Sequence, residues 1–314
     1  MNKLTYFPGC SAHGTSEEFD HTLKLVMKKL DTELEEIPDW NCCGATSAHV
    51  MTENLALALP LRNLVLAEKL ENKTMGIACA SCYSRMKVTK KEMDEHPEKA
   101  QRINQTIIEE GEYKGTVEVK SMLQYCYEEI GTEKIKSLVT KSLAGLKVAC
   151  YYGCLLTRPK NVTKFDSPEY PMSMDRLMEA LGAKAVDFDY KTECCGASFS
   201  ISNTEVVLAL SGKILEMAKE SGAHLIVVAC PLCQSNLDMR QPDIEKATGV
   251  KYNLPVMYFT QLMALAFGFP ESELMLPKHI VPVGNALSNI GKIEPVPEKV
   301  RKTKKAVEAE SEVE

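Results

Sequence analysis

Ten of the twelve cysteines in this chain fall into two copies of one pattern, C-x(31–39)-CC-x(34–35)-C-x2-C. The first copy runs through Cys10, Cys42, Cys43, Cys79 and Cys82, and the second through Cys154, Cys194, Cys195, Cys230 and Cys233. Gaps of 31 and 35 residues in the first copy become 39 and 34 in the second. Such self-similarity marks one supersecondary unit used twice, and missing it would misassign the whole fold. Adjacent cysteines rarely have the geometry to close a disulfide with each other. The pairs in "NCCGA" and "ECCGA" must therefore serve another purpose.

The repeat extends beyond cysteine. "VEVKSMLQYCYEEIG" (117–131) aligns with "LPVMYFTQLMALAFG" (254–268), which sets Cys126 opposite Met263. Cys150, four residues before Cys154, falls opposite Tyr6. Both leftover thiols thus occupy apolar positions inside elements, and both are expected to be structural.

Short apolar or β-branched runs, "KLTYF" and "LKVACYY", each lead into Gly-Cys, and "TMGIAC" and "AHLIVVAC" each lead into a Cys-x2-Cys. Phe19, Leu23, Val26, Met27 and Leu30 mark one face of a helix, while "DRLMEALG" and "LALSGKILEMAKESG" read as helices closed by glycine. Alternation of strand and helix predicts an α/β fold of two duplicated units, each with a small parallel sheet flanked by helices. The expected boundaries are 1–144 and 145–291, followed by a charged, disordered tail over 292–314. In parallel sheets functional residues gather at the carboxyl ends of strands. Cys10, Cys79, Cys154 and Cys230 all sit at such ends, so their segments are expected to converge.

The compartment decides how the thiols are read. The longest apolar run, "HLIVVACPLC", is too short to span a bilayer, and Met1 leads straight into the polar "NKLTYFPGC". A cytoplasmic location without a signal peptide is expected, where thiols stay reduced and serve as metal ligands or redox groups. A net charge of −6, with no basic stripe interleaved with aromatics, excludes nucleic acid as a partner.

Cys-x2-Cys alone fits zinc, redox and iron–sulfur sites equally. Five cysteines per repeat is the discriminating count, because structural zinc closes with four ligands. Neighbouring thiolates point apart and suit different irons of a larger cluster better than one small ion. Iron–sulfur chemistry is favoured, ahead of zinc and of inert core thiols. Other residues carry weaker signals. Gly44 and Gly196 are candidates for close backbone approach, His49 is a candidate proton donor, and no donor is evident near Cys154. Arg158, Lys160 and Lys164, in the longer gap of the second repeat, are candidates to meet an anionic substrate.

The doubled pattern, with "CYYGCLLTRP" at 150–159, resembles the CCG-domain proteins, and among them the B-type subunits of heterodisulfide reductases. The resemblance covers about residues 1–290. It implies a noncubane 4Fe–4S cluster on Cys10, Cys42, Cys43, Cys79 and Cys82, and a second on Cys154, Cys194, Cys195, Cys230 and Cys233. It also implies a catalytic role in cleaving a small-molecule disulfide of the coenzyme M–coenzyme B type. The implied partners are a small subunit with two ordinary 4Fe–4S clusters and a flavin-bearing subunit. The alternative is an electron-transfer iron–sulfur subunit of another oxidoreductase complex, since CCG domains occur there too. No Gly-x-Gly-x-x-Gly follows a strand, so electrons must come from outside the chain.

Overall fold

The computed structural model describes residues 2–45 and 48–292. Beyond Lys292 the expected tail lies outside the described residues, as does the side chain of His49.

Two four-stranded sheets form the frame. In chain order the strands are β1 (Asn2–Phe7), β2 (Thr32–Glu36), β3 (Thr74–Ile77) and β4 (Glu118–Ser121), then β5 (Lys147–Tyr151), β6 (Lys184–Ala185), β7 (Leu225–Val228) and β8 (Val256–Tyr258). The orders are β2-β1-β3-β4 and β6-β5-β7-β8, so the duplication read from the cysteines is also a duplication of topology. Every pairing is parallel. Parallel strands covered on both faces read as continuous apolar runs, and "LIVV" in β7 is buried at all four positions. In the register Tyr6 lies beside Gly76, and Cys150, its counterpart in the second repeat, beside Val227.

Helices cover the sheets for local reasons. The helix Glu17–Lys29 has Glu17, Glu18 and Asp20 in its first turn and Lys28 and Lys29 in its last, which complements the helix dipole. Its buried face carries Phe19, Leu23, Val26 and Met27, as the periodicity predicts. Burial of side chains of this size stabilises by about 1.5–3 kcal/mol each.

That helix also joins the repeats. It packs on the helix Phe259–Ala266, which follows β8. Across this contact Phe19 stacks on Tyr258 with ring centroids 4.3 Å apart, and the Thr22 and Thr260 hydroxyls are 2.8 Å apart. Reciprocally, the helix Ser173–Ala180 after β5 packs on Met122–Tyr125 and Thr132–Ser137, which follow β4. Each repeat lends the helix after its first strand to the helices after the other's last strand. The two halves are thus related by an approximate two-fold arrangement.

Candidate metal centre

The strand order sets where the thiols lie. In an open parallel sheet, ligands collect beyond the carboxyl ends of the strands, where the chain order reverses. Here that point lies between β1 and β3, and between β5 and β7. Cys10 and Cys154 follow β1 and β5, and Cys79 and Cys230 follow β3 and β7 as N-cap residues of the helices Ala80–Glu95 and Pro231–Gln234. Cys82 and Cys233 sit in the first turns of those helices. The paired cysteines come from the loops after β2 and β6. Each loop leads into a capped helix, where Thr52 accepts from the Leu55 N–H and Asn203 from the Val206 N–H.

All ten thiols are free, and the structure brings each set together. In the first repeat Cys10 Sγ lies 4.0 Å from Cys42 Sγ, and Cys43 Sγ lies 3.1 Å from Cys82 Sγ. In the second, Cys195 Sγ lies 3.7 Å from Cys233 Sγ, and Cys154 and Cys194 are close enough to shift each other's protonation. The adjacent cysteines do point apart: Cys42 and Cys194 are exposed, while Cys43 and Cys195 are buried. Among the described residues no three His, Cys, Asp or Glu side chains are grouped as they would be around a single metal ion. The sets approach each other at Cys79 and Cys230, which lie close enough across the repeats to shift one another's protonation, Cys79 upward and Cys230 downward. Each site therefore has a closed base at the interface and an open rim, formed by Cys10 and Cys42 on one side and by Cys154 and Cys194 on the other.

The rims share an electrostatic design. A hydrogen bond from Cys154 lowers the Cys194 thiol to about 6, assisted by the N–H groups of Gly196 and Ala197. A hydrogen bond from Cys10 likewise holds Cys42 far below the ordinary thiol range, assisted by the Gly44 N–H. The glycine N–H groups reach these sulfurs at 3.4 and 3.3 Å. Both glycines have positive φ, 74° and 80°. A Cβ on Gly44 would fall 2.6 Å from the Ala48 Cβ, and one on Gly196 would fall 3.1 Å from the Val207 backbone. The expected close approach at Gly44 and Gly196 is therefore to their own helices and to the preceding thiolates.

Sequence reading passed over a second glycine pair. Gly9 and Gly153 precede Cys10 and Cys154, and a Cβ at either would stand 3.3 or 3.1 Å from the sulfur of Cys82 or Cys233. The repeated Gly-Cys after the first strand of each repeat was the available signal. Also missed were Arg85 and Asn236, each three residues after the last cysteine of its set. Asn236 donates to the Cys195 carbonyl at 3.1 Å and lies 3.6 Å from Cys195 Sγ. Arg85 donates to the Ala56 carbonyl and feels the charge of Cys43, while burial lowers its pKa.

The leftover thiols sit apart from these groups. Cys126 and Cys150 are fully buried, and burial raises the Cys126 thiol to about 12. Arg158 needs correcting as a candidate for substrate. Its guanidinium already donates to the Pro168 carbonyl and the Thr192 hydroxyl at 2.8 Å, and meets Glu169 at 3.0 Å. It ties its own loop to the segment before Cys194. Lys160 and Lys164 are exposed.

The CCG cysteine-rich domain pattern matches residues 4–87 and again 148–238. The chain is 34% identical over 294 residues to the B-type subunit of the ferredoxin/F420H2-dependent CoB-CoM heterodisulfide reductase of Methanosarcina acetivorans, covering 92% of this chain and 95% of that one. It is 33% identical over 282 residues to the 8-methylmenaquinol:fumarate reductase membrane anchor subunit of Wolinella succinogenes, covering 90% and 98%. A crystal structure of a hypothetical protein from Helicobacter pylori shares the fold with a TM-score of 0.71 at 14% identity, over 90% of this chain and 52% of that one. With both repeats matched and relatives aligned over nearly their full length, the chain belongs to the CCG cysteine-rich domain family, in which it carries the domain twice.

Proposed function

We propose that the chain is the catalytic subunit of a heterodisulfide reductase-like complex, with one noncubane 4Fe–4S cluster on each five-cysteine set. The two units are taken as residues 1–144 and 145–291. The donor chemistry fits: thiolates are the ligands of iron–sulfur clusters, and five converge in each repeat. Bound there, two clusters would supply iron for sulfur binding and two electrons, one from each.

The observation that carries the reading is the gathering of five thiols in each repeat, with Cys79 of one set and Cys230 of the other close enough to shift each other's protonation. Reducing a disulfide RSSR′ consumes two electrons and two protons and yields RSH and R′SH. Clusters pass electrons singly, so two adjoining sites suit one S–S bond. The chain's own residues hold both sets at the interface, keep the bases closed and leave each rim open to a small molecule. Electrons would come from the cluster-bearing and flavin-bearing partner subunits. Relatives include B-type subunits of CoB-CoM heterodisulfide reductases, which supports a disulfide of that type as substrate. Among the described residues no helix is long and apolar enough to cross a membrane, in keeping with a cytoplasmic subunit.

A second reading, an electron-transfer subunit, is favoured by the fumarate reductase relative. Anaerobic purification should yield about eight irons and eight acid-labile sulfides per chain. Oxidation of a reduced dye that depends on added disulfide then separates the readings. Zinc without sulfide would sink both, and electron flow with no disulfide accepted would leave the relay.

A further inference from the structure

The eight residues by which the second repeat's first gap exceeds the first repeat's lie in the segment that builds the short helix Lys160–Thr163. That helix packs on the first repeat's helix Ala80–Glu95, which carries Cys82. The Tyr83 hydroxyl, next to Cys82, lies 3.2 Å from the Thr163 carbonyl and fixes the contact. Between the two helices runs a cleft of about 300 Å³ lined by Lys87, Lys90, Lys91 and Lys164, by Asn161, and by the carboxylates of Asp94 and Glu95.

The four lysines are not equivalent. Lys90 is taken up by Asp94 at 3.1 Å and the Gly115 carbonyl at 2.8 Å, and Lys91 by Glu95 at 2.5 Å. Lys87 and Lys164 have no carboxylate within ion-pair distance among the described residues. Lys87 is half-buried, with its ammonium 5.9 Å from the Tyr83 ring centroid. Burial lowers its pKa; the more distant carboxylates of Glu118 and Glu128 oppose this, and the charges of Lys164 and Lys90 add to it. Two like charges from opposite repeats repel, Glu118 and Glu128 offset only part of that from beyond ion-pair distance, and an anion seated between the ammoniums would offset more.

We propose that this cleft binds an oxyanion group, a phosphate or a sulfonate, through Lys87 of the first repeat and Lys164 of the second. A tetrahedral anion has oxygens enough to accept from both ammoniums and from the Asn161 amide at once. The group is either a free oxyanion or the charged end of the substrate. The site itself stands without the cluster assignment, because none of its residues is a cysteine.

The test is calorimetric titration of the full-length chain with inorganic phosphate at low ionic strength. Saturable one-to-one binding is expected, weakened about tenfold by Lys87→Gln or by Lys164→Gln. It should be unchanged by Lys246→Gln on the far helix Gln241–Thr248. Absence of saturable binding, or native affinity in both variants, would overturn the proposal. A second arm names the source, using the cluster-loaded complex with a phosphate-bearing and an uncharged disulfide. A Michaelis constant raised in Lys164→Gln for the phosphate-bearing disulfide alone identifies the substrate's own tail. Unchanged Michaelis constants with phosphate binding lost identify a free oxyanion.

Discussion

The two repeats place their cysteines alike and surround them differently. Three and five residues after the last cysteine the first repeat has Arg85 and Lys87, while the second has Asn236 and Asp238. Lys87 lines a surface cleft; Asp238 is fully buried and accepts from the N–H groups of Ile280 and Val281. The loops bearing the paired cysteines are also held by different means. In the first, Asn41 and Asn63 exchange hydrogen bonds of 2.9 and 2.8 Å between backbone and amide. In the second, Lys191 and Asp175 form a buried ion pair at 2.5 Å, and the Tyr152 hydroxyl donates to the same carboxylate at 2.7 Å. Duplication has kept the thiol frame and released the charges around it, so the two sites are alike in thiols and unlike in field.

The largest expected effect tests the likeness. Cys42→Ala and Cys195→Ala come from opposite repeats, yet each should remove or convert one cluster and lower iron by up to about half. Disulfide turnover should fall with it in both. Cys126→Ala should keep all its iron and behave as a small core truncation. Equal iron loss from Cys126→Ala would break the assignment of five ligands per repeat.

The next expectation bears on the difference in loop support. Lys191→Met strands the Asp175 carboxylate in a buried site and should destabilise the fold by about 3–5 kcal/mol. Asn63→Ala exposes nothing charged and should cost about 1–3 kcal/mol. Denaturant unfolding of the cluster-free chain measures both. Equal losses would mean that the ion pair contributes no more than the amide pair.

Asp238 adds a pH dependence in the acid range, where the first repeat has the cation Lys87 at the same place. Burial raises its carboxyl from 3.8 to about 6, against the opposing hydrogen bonds from Ile280, Val281 and Gln234. Glu18, itself raised by burial, adds to the negative charge it faces. Since the folded pKa is the higher one, the folded state holds the extra proton between about pH 4 and 6. Stability from this group is present below that window and lost as pH rises through it. His279 works in the opposite sense: burial lowers it from 6.5 to about 4, so its contribution falls as pH drops through that range. Comparing Asp238→Asn with the native chain isolates the carboxyl. The variant should gain about 2–3 kcal/mol on the native chain between pH 4 and pH 7. A difference independent of pH would show that Asp238 titrates normally.

Much of this organisation was legible in the sequence, for physical reasons. Apolar runs ending in cysteine located β1, β3, β5 and β7, because fully covered parallel strands leave little room for polar residues. The alignment of Cys126 with Met263 and Cys150 with Tyr6 placed both thiols inside apolar elements, where they are buried. Other features left no local trace. With only two residues, β6 has no period to read. The meeting of Cys79 with Cys230 depends on how one repeat packs on the other, which no stretch of either records. Arg158 read as a free cation because its partners, a carbonyl at Pro168 and a hydroxyl at Thr192, lie 10 and 34 residues away.

The smallest expected effect is the sharpest test of the difference in field. Arg85 places a partly buried positive charge near Cys43, while Asn236 offers Cys195 only a neutral amide. A cluster gains negative charge on reduction, and its potential follows local charge and hydrogen bonding to sulfur. The first site should therefore be the easier to reduce. Arg85→Gln removes the charge but keeps a donor, and should lower the potential of that site by tens of millivolts, on the order of one 59 mV step for a single electron. The second site should stay close to its native value, since Arg85 interacts with Cys43 of the first set, while Cys195 of the second meets Asn236. Anaerobic redox titration followed by electron paramagnetic resonance resolves the two, provided Arg85→Gln retains its iron. Equal shifts at both sites would mean that charge spreads across the Cys79–Cys230 contact and that the repeats act as one electrostatic unit. No shift at either would place the Arg85 charge too far from the sulfur to matter, leaving its hydrogen bond to the Ala56 carbonyl as its whole contribution.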